Sequence, residues 1–200
     1  MKRLSETSAL PRLQAIKDEL RSRAAAYEVR AASCATCSTP GACCLDEHFV
    51  NVHISRLEAA AISGVIERMP AVTREAVLER IADSSETLQG HEDQRAATYA
   101  CPLYQKGTGC LVHEEGKPVP CILHACYDRK EDVPPDELQD EAETAVYRLN
   151  ERVYGSSALK PLPVAIQAIL RTRRKNAITT RSSSPLRLPD PTRVCTEKGY

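Results

Sequence analysis

Tryptophan is absent from this 200-residue chain and phenylalanine occurs once, so aromatic residues make up only 4% of it. A core without them must be built from Leu, Ile, Val and Ala, which suits packed helices better than a β-sandwich and leaves part of the stability to come from elsewhere. Net charge is also missing, with 27 basic residues balancing 27 acidic ones. No long apolar run is present either. The longest, Val164 to Leu170, is broken by Gln167 and falls far short of the roughly 20 residues that cross a bilayer. The start, Met-Lys-Arg-Leu-Ser-Glu, has no apolar stretch of an export signal behind it. The expectation is a cytoplasmic protein that does not enter a membrane. A Gly-rich phosphate loop, a Gly-x-Ser-x-Gly elbow and a His-Glu-x-x-His helix are all lacking, so no catalytic motif stands beyond the cysteines.

What the chain does have is nine cysteines, eight of them in two groups of four: Cys34, Cys37, Cys43, Cys44 and then Cys101, Cys110, Cys121, Cys126. Cys195 is the odd one. In a reducing compartment such clusters serve as metal ligands or redox centres more often than as disulfides. The Cys34-x2-Cys37 spacing lets two sulfurs face one ion, and Pro40-Gly41 supplies a bend that returns Cys43 or Cys44 toward it. Read as an extended pair, Cys43 and Cys44 point to opposite sides and serve two metals, two ends of a cluster, or one metal and one packing role. Eight thiolates match two four-sulfur sites or one four-thiolate cluster with four further thiols, and sulfur-only sets select zinc or iron-sulfur. His113 and His124 have ligand spacing beside Cys110 and Cys121 and could replace a thiolate, although a support role behind the ligands is the commoner one. His48 and His53 read as surface residues. Asp46-Glu47 and Glu114-Glu115 read as solvated charge.

Around the cysteines the periodicity is helical. Leu10, Leu13, Ile16, Leu20, Ala24 and Tyr27 predict an amphipathic helix ending near Ala32. Phe49 to Ile54 reads as a short extended piece, and Ser55-x-x-Glu58 as a capping box opening a helix that stops at Pro70. Another helix is predicted from an N-cap at Thr73 to Gly90, and one from Pro134-Pro135 to Gly155. Between Cys101 and Cys126 the density of Pro and Gly predicts loops held by something other than backbone ladders. Pro163 opens a short last helix, and the pattern is lost beyond Lys175. The organisation expected is therefore an N-terminal helix over 1–33, a cysteine-cluster region with a helical insert over 34–126, C-terminal helices over 127–175 and a mobile basic tail over 176–200. The fold class is mainly α, a small helical domain with a central metal-stapled, loop-rich cysteine cluster. Residues 171–200 carry a net charge of +6, but no aromatic residues interleave with the arginines to stack on bases, which argues against nucleic acid as a partner.

The run Cys-x2-Cys-x5-Cys-Cys, followed by Cys-Pro-Leu-Tyr, Gly-Thr-Gly-Cys-Leu-Val-His and Lys-Pro-Val-Pro-Cys-Ile-Leu-His, resembles the YkgJ-type cysteine-cluster family, a zinc- or iron-chelating domain, over about residues 34–126. The resemblance implies that Cys34, Cys37, Cys43, Cys44, Cys101, Cys110, Cys121 and Cys126 fall on that family's cysteine positions. It departs at His113, Lys117-Pro118 and Ile122, where the family usually has Tyr, Arg-Pro and Arg, and so loses cationic partners for an anionic cluster. The reading is a metal-binding protein taking zinc, or iron as an iron-sulfur cluster, with a metal ion and a protein partner to bind. The alternative is a redox protein whose cluster carries electrons or whose Cys34 and Cys37 exchange between dithiol and disulfide.

Overall fold

A computed structural model describes residues 3–32, 39–45, 50–93 and 96–182. Cys34, Cys37, His48 and Cys195 lie outside them. The chain is mainly helical. Helix α1 spans Glu6–Glu28, α3 Arg56–Arg68, α4 Ala71–Gln89, α6 Asp136–Tyr154 and α7 Leu162–Ser182, while α2 (Ala42–Leu45) and α5 (Val119–Ile122) are single turns. Four two-residue strands form two antiparallel pairs: β1 (His53–Ile54) with β4 (Lys160–Pro161), and β2 (Tyr104–Gln105) with β3 (Gly109–Cys110).

Helix α3 is the wall shared by two apolar clusters. On one side Ala59, Ala60, Ile62 and Ile66 pack with Val77, Ile81 and Leu88 of α4 and with Leu162, Ile166 and Ile169 of α7. On the other, Leu57 joins Ala9, Leu13 and Leu20 of α1, Val119 and Ile122 of α5, and Val146 and Leu149 of α6. A helix buried on both flanks needs small residues where its neighbours come close, and the Ala59-Ala60 pair supplies them, each fully buried.

The start of α3 lies inside the protein, so its free N–H groups need internal acceptors. Ser55 and Glu58 form the capping box that their spacing predicts. Asn150 of α6, fully buried, accepts the Leu57 N–H at 3.0 Å and donates to Ser157 Oγ. Glu58 does more than cap. One carboxylate oxygen accepts from Ser55 N and Oγ, both at 3.0 Å, and the other accepts the first N–H of α5, Val119, at 3.1 Å.

Several boundaries differ from those the sequence suggests. α1 stops at Glu28, because the following residues turn and Ala32 is captured by the Cys126 carbonyl at 2.7 Å. Its buried stripe is Ala9, Leu13, Lys17, Leu20 and Ala24; Leu10 and Ile16 pack only at the margin. α4 begins at Ala71 without a side-chain cap, since its first residues are exposed and water can satisfy their N–H groups. α7 continues past Lys175 to Ser182, so the segment from 176 is helical at first. Arg173, in the basic stretch, pairs with Glu67 at 2.9 Å and Glu6 at 3.3 Å, which clamps α7 to α3 and α1. Among the described residues no helix is long and apolar enough to cross a membrane.

Replacing Glu58 by Ala should strand Ser55 and Val119 donors in the interior and cost about 3–5 kcal/mol. Urea unfolding measures it; a loss below about 1 kcal/mol would mean that Glu58 is not the junction of the two clusters.

Candidate metal centre

Two segments far apart in sequence meet at one cavity. The first is the turn Pro40-Gly41 leading into α2, which carries Cys43 and Cys44; the second runs from Cys101 through the β2–β3 hairpin to α5 and carries Cys101, Cys110 and Cys121. All five thiols line a cavity of about 1060 Å³ together with Tyr99, Leu103, Tyr104, Lys117, His113 and His124. Backbone contacts hold the two segments together. Cys101 N–H donates to the Cys44 carbonyl at 2.7 Å, and Tyr104 Oη donates to the Pro40 carbonyl at 3.1 Å. Gly41 has φ +80°, and a Cβ there would lie 2.0 Å from the Tyr104 ring. Glycine is the residue that permits both the turn and the ring's approach.

The hairpin is kept in register by Leu111 N–H to the Leu103 carbonyl at 2.9 Å, and α5 is held by Glu58 through Val119. Tyr99 anchors the cavity floor. Its hydroxyl donates to the Val52 carbonyl at 2.6 Å and accepts from Leu162 N–H at 3.2 Å, and burial pushes its pKa up. On the rim, Arg21 of α1 donates to the His113 and Glu114 carbonyls, and Arg68 pairs with Glu115.

The vicinal cysteines depart from the extended reading. They sit within the helical turn α2, where neighbouring side chains are about 100° apart rather than opposed, and both reach the same cavity. Burial raises the pKa of Cys44, and the Cys43 thiol lies close enough to raise it further. Cys126 is exposed and stands apart from the cavity wall, and its carbonyl holds Ala32. His113 and His124 are exposed at the cavity. His53 is half-buried rather than on the surface, its Nε2 without a hydrogen-bond partner among the described residues.

Burial holds the thiols protonated. Cys101 is pushed up to about 11 by burial and by Cys110, against the pull of the Leu103 and Tyr104 backbone N–H groups and of Arg80. Cys121 is pushed up to about 12 by burial, Cys101 and Cys110, with Lys117 opposing. Cys110 is raised by burial, while the Val112 N–H and Lys117 lower it. Cys44 is raised furthest, by burial and then by Cys43 and Cys101. Ionising one of these thiols makes the next harder to ionise, so a set of thiolates here needs a cation to compensate it. Among the described residues no three His, Cys, Asp or Glu side chains lie close enough together to hold a metal ion. The thiols surround a shared space without closing on a point within it.

Residues that the spacing of cysteines does not reveal complete the site: Gly41, Tyr104, Glu58, Arg80 and Lys17. Glu58 and Gly41 are visible in the sequence as a capping box and a bend but not as parts of this site, and Lys17 is a charged residue on the buried stripe of α1. No family model, curated protein or solved structure matches the chain.

Gly41→Ala should force both a strained backbone and a displaced Tyr104 ring, at a cost of about 1–3 kcal/mol; an unchanged denaturation midpoint would contradict it. The pH dependence of the metal-free protein has a definite sign. Above pH 9 the cysteines of the unfolded chain lose protons, whereas Cys101 and Cys121 keep theirs until about 11 and about 12. The unfolded state then binds fewer protons, so the contribution of these thiols to stability falls as pH rises through that window. Wild type should therefore lose more stability between pH 8.5 and 11 than Cys121→Ala does, as measured by denaturant unfolding under reducing conditions.

Proposed function

We propose that the protein is a metal-binding protein that chelates zinc, or iron as an iron-sulfur cluster, through its two groups of cysteines. The observation that carries this reading is the convergence of Cys43 and Cys44 with Cys101, Cys110 and Cys121 on one cavity, across the 56 residues that separate Cys44 from Cys101. A soft, sulfur-rich donor set suits zinc and iron-sulfur, and His113 and His124 at the same cavity are borderline donors compatible with zinc. Cys34 and Cys37, whose spacing is that of a metal knuckle, complete the donor set together with Cys126. The cysteine spacing that resembles the YkgJ-type chelating family supports the same reading.

At Cys101 and Cys121 the chemistry argues for chelation over thiol exchange, while Cys34 and Cys37, the pair with exchange spacing, lie outside the described residues. An exchanging cysteine needs a thiolate at neutral pH, and burial here favours the neutral thiol. A metal reverses that preference. Each thiol that ligates releases its proton to solvent, and the cation offsets the repulsion that otherwise keeps the neighbouring thiols neutral. Binding also draws in the separate segments, so its free energy becomes folding free energy, on the order of 10 kcal/mol for a structural zinc.

The test is anaerobic purification with metal analysis, followed by Co(II) and Zn(II) titration of the reduced apo-protein. Co(II) should give thiolate-to-metal charge-transfer absorption that Cys101→Ser or Cys121→Ser abolishes, while His→Ala at His113 or His124 keeps the stoichiometry and weakens affinity about 10- to 100-fold. A strong chelator should lower the melting temperature sharply and open the Cys101–Cys126 segment to proteolysis before α6. Restoration by zinc alone assigns zinc, and restoration only by iron with sulfide assigns the cluster. An apo-protein with unchanged melting and no Co(II)-thiolate band would sink the reading.

A further inference from the structure

Two cationic side chains with unsatisfied donors are built into the protein beside the thiols, one from each side. Lys17 is 1% exposed, and its Nζ has no hydrogen-bond partner among the described residues. It occupies the α1 stripe between Leu13 and Leu20, which packs on Val119 and Ile122, the residues flanking Cys121 in α5. Burial lowers its pKa, opposed by the nearby Glu58 carboxylate and Cys121 and reinforced by Arg21. Glu58 is occupied by three donors from Ser55 and Val119, and Arg21 is held by Asp18 at 2.9 Å. On the other side, Arg80 of α4 donates through Nε to the Pro102 carbonyl at 2.9 Å, next to Cys101, while its buried Nη2 has no partner.

An unpaired ammonium in an apolar cluster is costly, and a neutral side chain of the same length would be accommodated there more cheaply. Its retention is explained if an anion forms nearby. The reading of the site as a chelating centre, on which this inference rests, supplies one: four thiolates on a divalent metal carry a net charge of −2. Lys17, Arg80 and Lys117 bring positive charge to the thiols, against the Glu58 carboxylate and the exposed Glu114 at the cavity rim.

We propose that Lys17 and Arg80 are positioning residues for metal uptake, a buried and a half-buried counter-charge on the Cys121 and Cys101 sides whose unspent N–H donors stabilise the metal-bound thiolates. The cost of burying them falls on the metal-free protein and is recovered when the anionic centre forms.

This makes the effects of one substitution opposite in sign. Lys17→Met keeps the length and removes the charge. In the reduced full-length protein, apo Lys17→Met should melt at or above the temperature of apo wild type, while its Zn(II) affinity, measured by competition with a chromophoric chelator, falls about tenfold or more. The Co(II) charge-transfer intensity at saturation should be unchanged, because the ligands are the same. Lys17→Arg should bind within a few-fold of wild type, and Arg80→Met should reproduce the affinity loss independently of how Lys17→Met folds. Zn(II) affinity within twofold of wild type in both Met variants overturns the proposal and leaves chelation standing. So does an apo Lys17→Met that is destabilised or fails to fold, which would make Lys17 a structural residue. Wild type that takes up neither Zn(II) nor Co(II) overturns chelation and this proposal together.

Discussion

The carboxylate of Glu58 is the point through which the two halves of the molecule are joined. It closes the capping box at the buried start of α3 and takes the first N–H of α5, so one side chain links the helix that divides the two apolar clusters to the turn that presents Cys121. Buried charge of this kind is tolerable because every acceptor site that the structure uses is filled by a donor, and a carboxylate accepting several N–H bonds is well stabilised even at low dielectric. The neighbouring Lys17 then lies in the field of an anion whose two oxygens already accept three hydrogen bonds. Its charge is balanced at a distance, but its donors are left unspent.

That asymmetry sets the character of the thiol site. Five cysteines face one cavity, and burial favours the neutral form of at least four of them. Cations nevertheless stand close by, and backbone N–H groups at Cys101 and Cys110 pull toward the thiolate. Desolvation wins while the sulfurs carry only protons. The chelation we propose would account for this arrangement, because a bound cation would supply the charge that lets the sulfurs give up their protons.

Several local features were legible in the residues alone. Ser55-x-x-Glu58 predicts the start of α3 because capping chemistry acts over three residues, and the Pro134-Pro135 and Gly155 boundaries of α6 follow from backbone restrictions of the same short range. The breaker-rich segment from Cys101 to Cys126 likewise holds only two short strands and a single helical turn. Errors arose where a neighbour distant in sequence intervened. Ala32 leaves the helix to bond with Cys126, α7 is prolonged past Lys175 where Arg173 is gripped by Glu6 and Glu67, and His53 is drawn inward by pairing with Pro161. Cys43 and Cys44 were misjudged for a different reason. A Cys-Cys pair has no periodicity of its own, and only the Gly41 turn packed on Tyr104 commits it to a helical turn.

The sequence by itself determined the helical class, the caps, the poverty of aromatic packing and the two groups of thiols, because each depends on residue type or on spacing within one turn. Tertiary structure alone decided that Cys43 and Cys44 share a cavity with Cys101, Cys110 and Cys121, that Cys126 stands apart from its wall, and that Lys17 and Arg80 bring charge toward the thiols from helices that carry no cysteine. Those facts depend on how α1 and α4 pack around α3 and α5. Packing joins residues by shape and burial across the chain, and no local spacing encodes which charged side chain will be enclosed with which thiol.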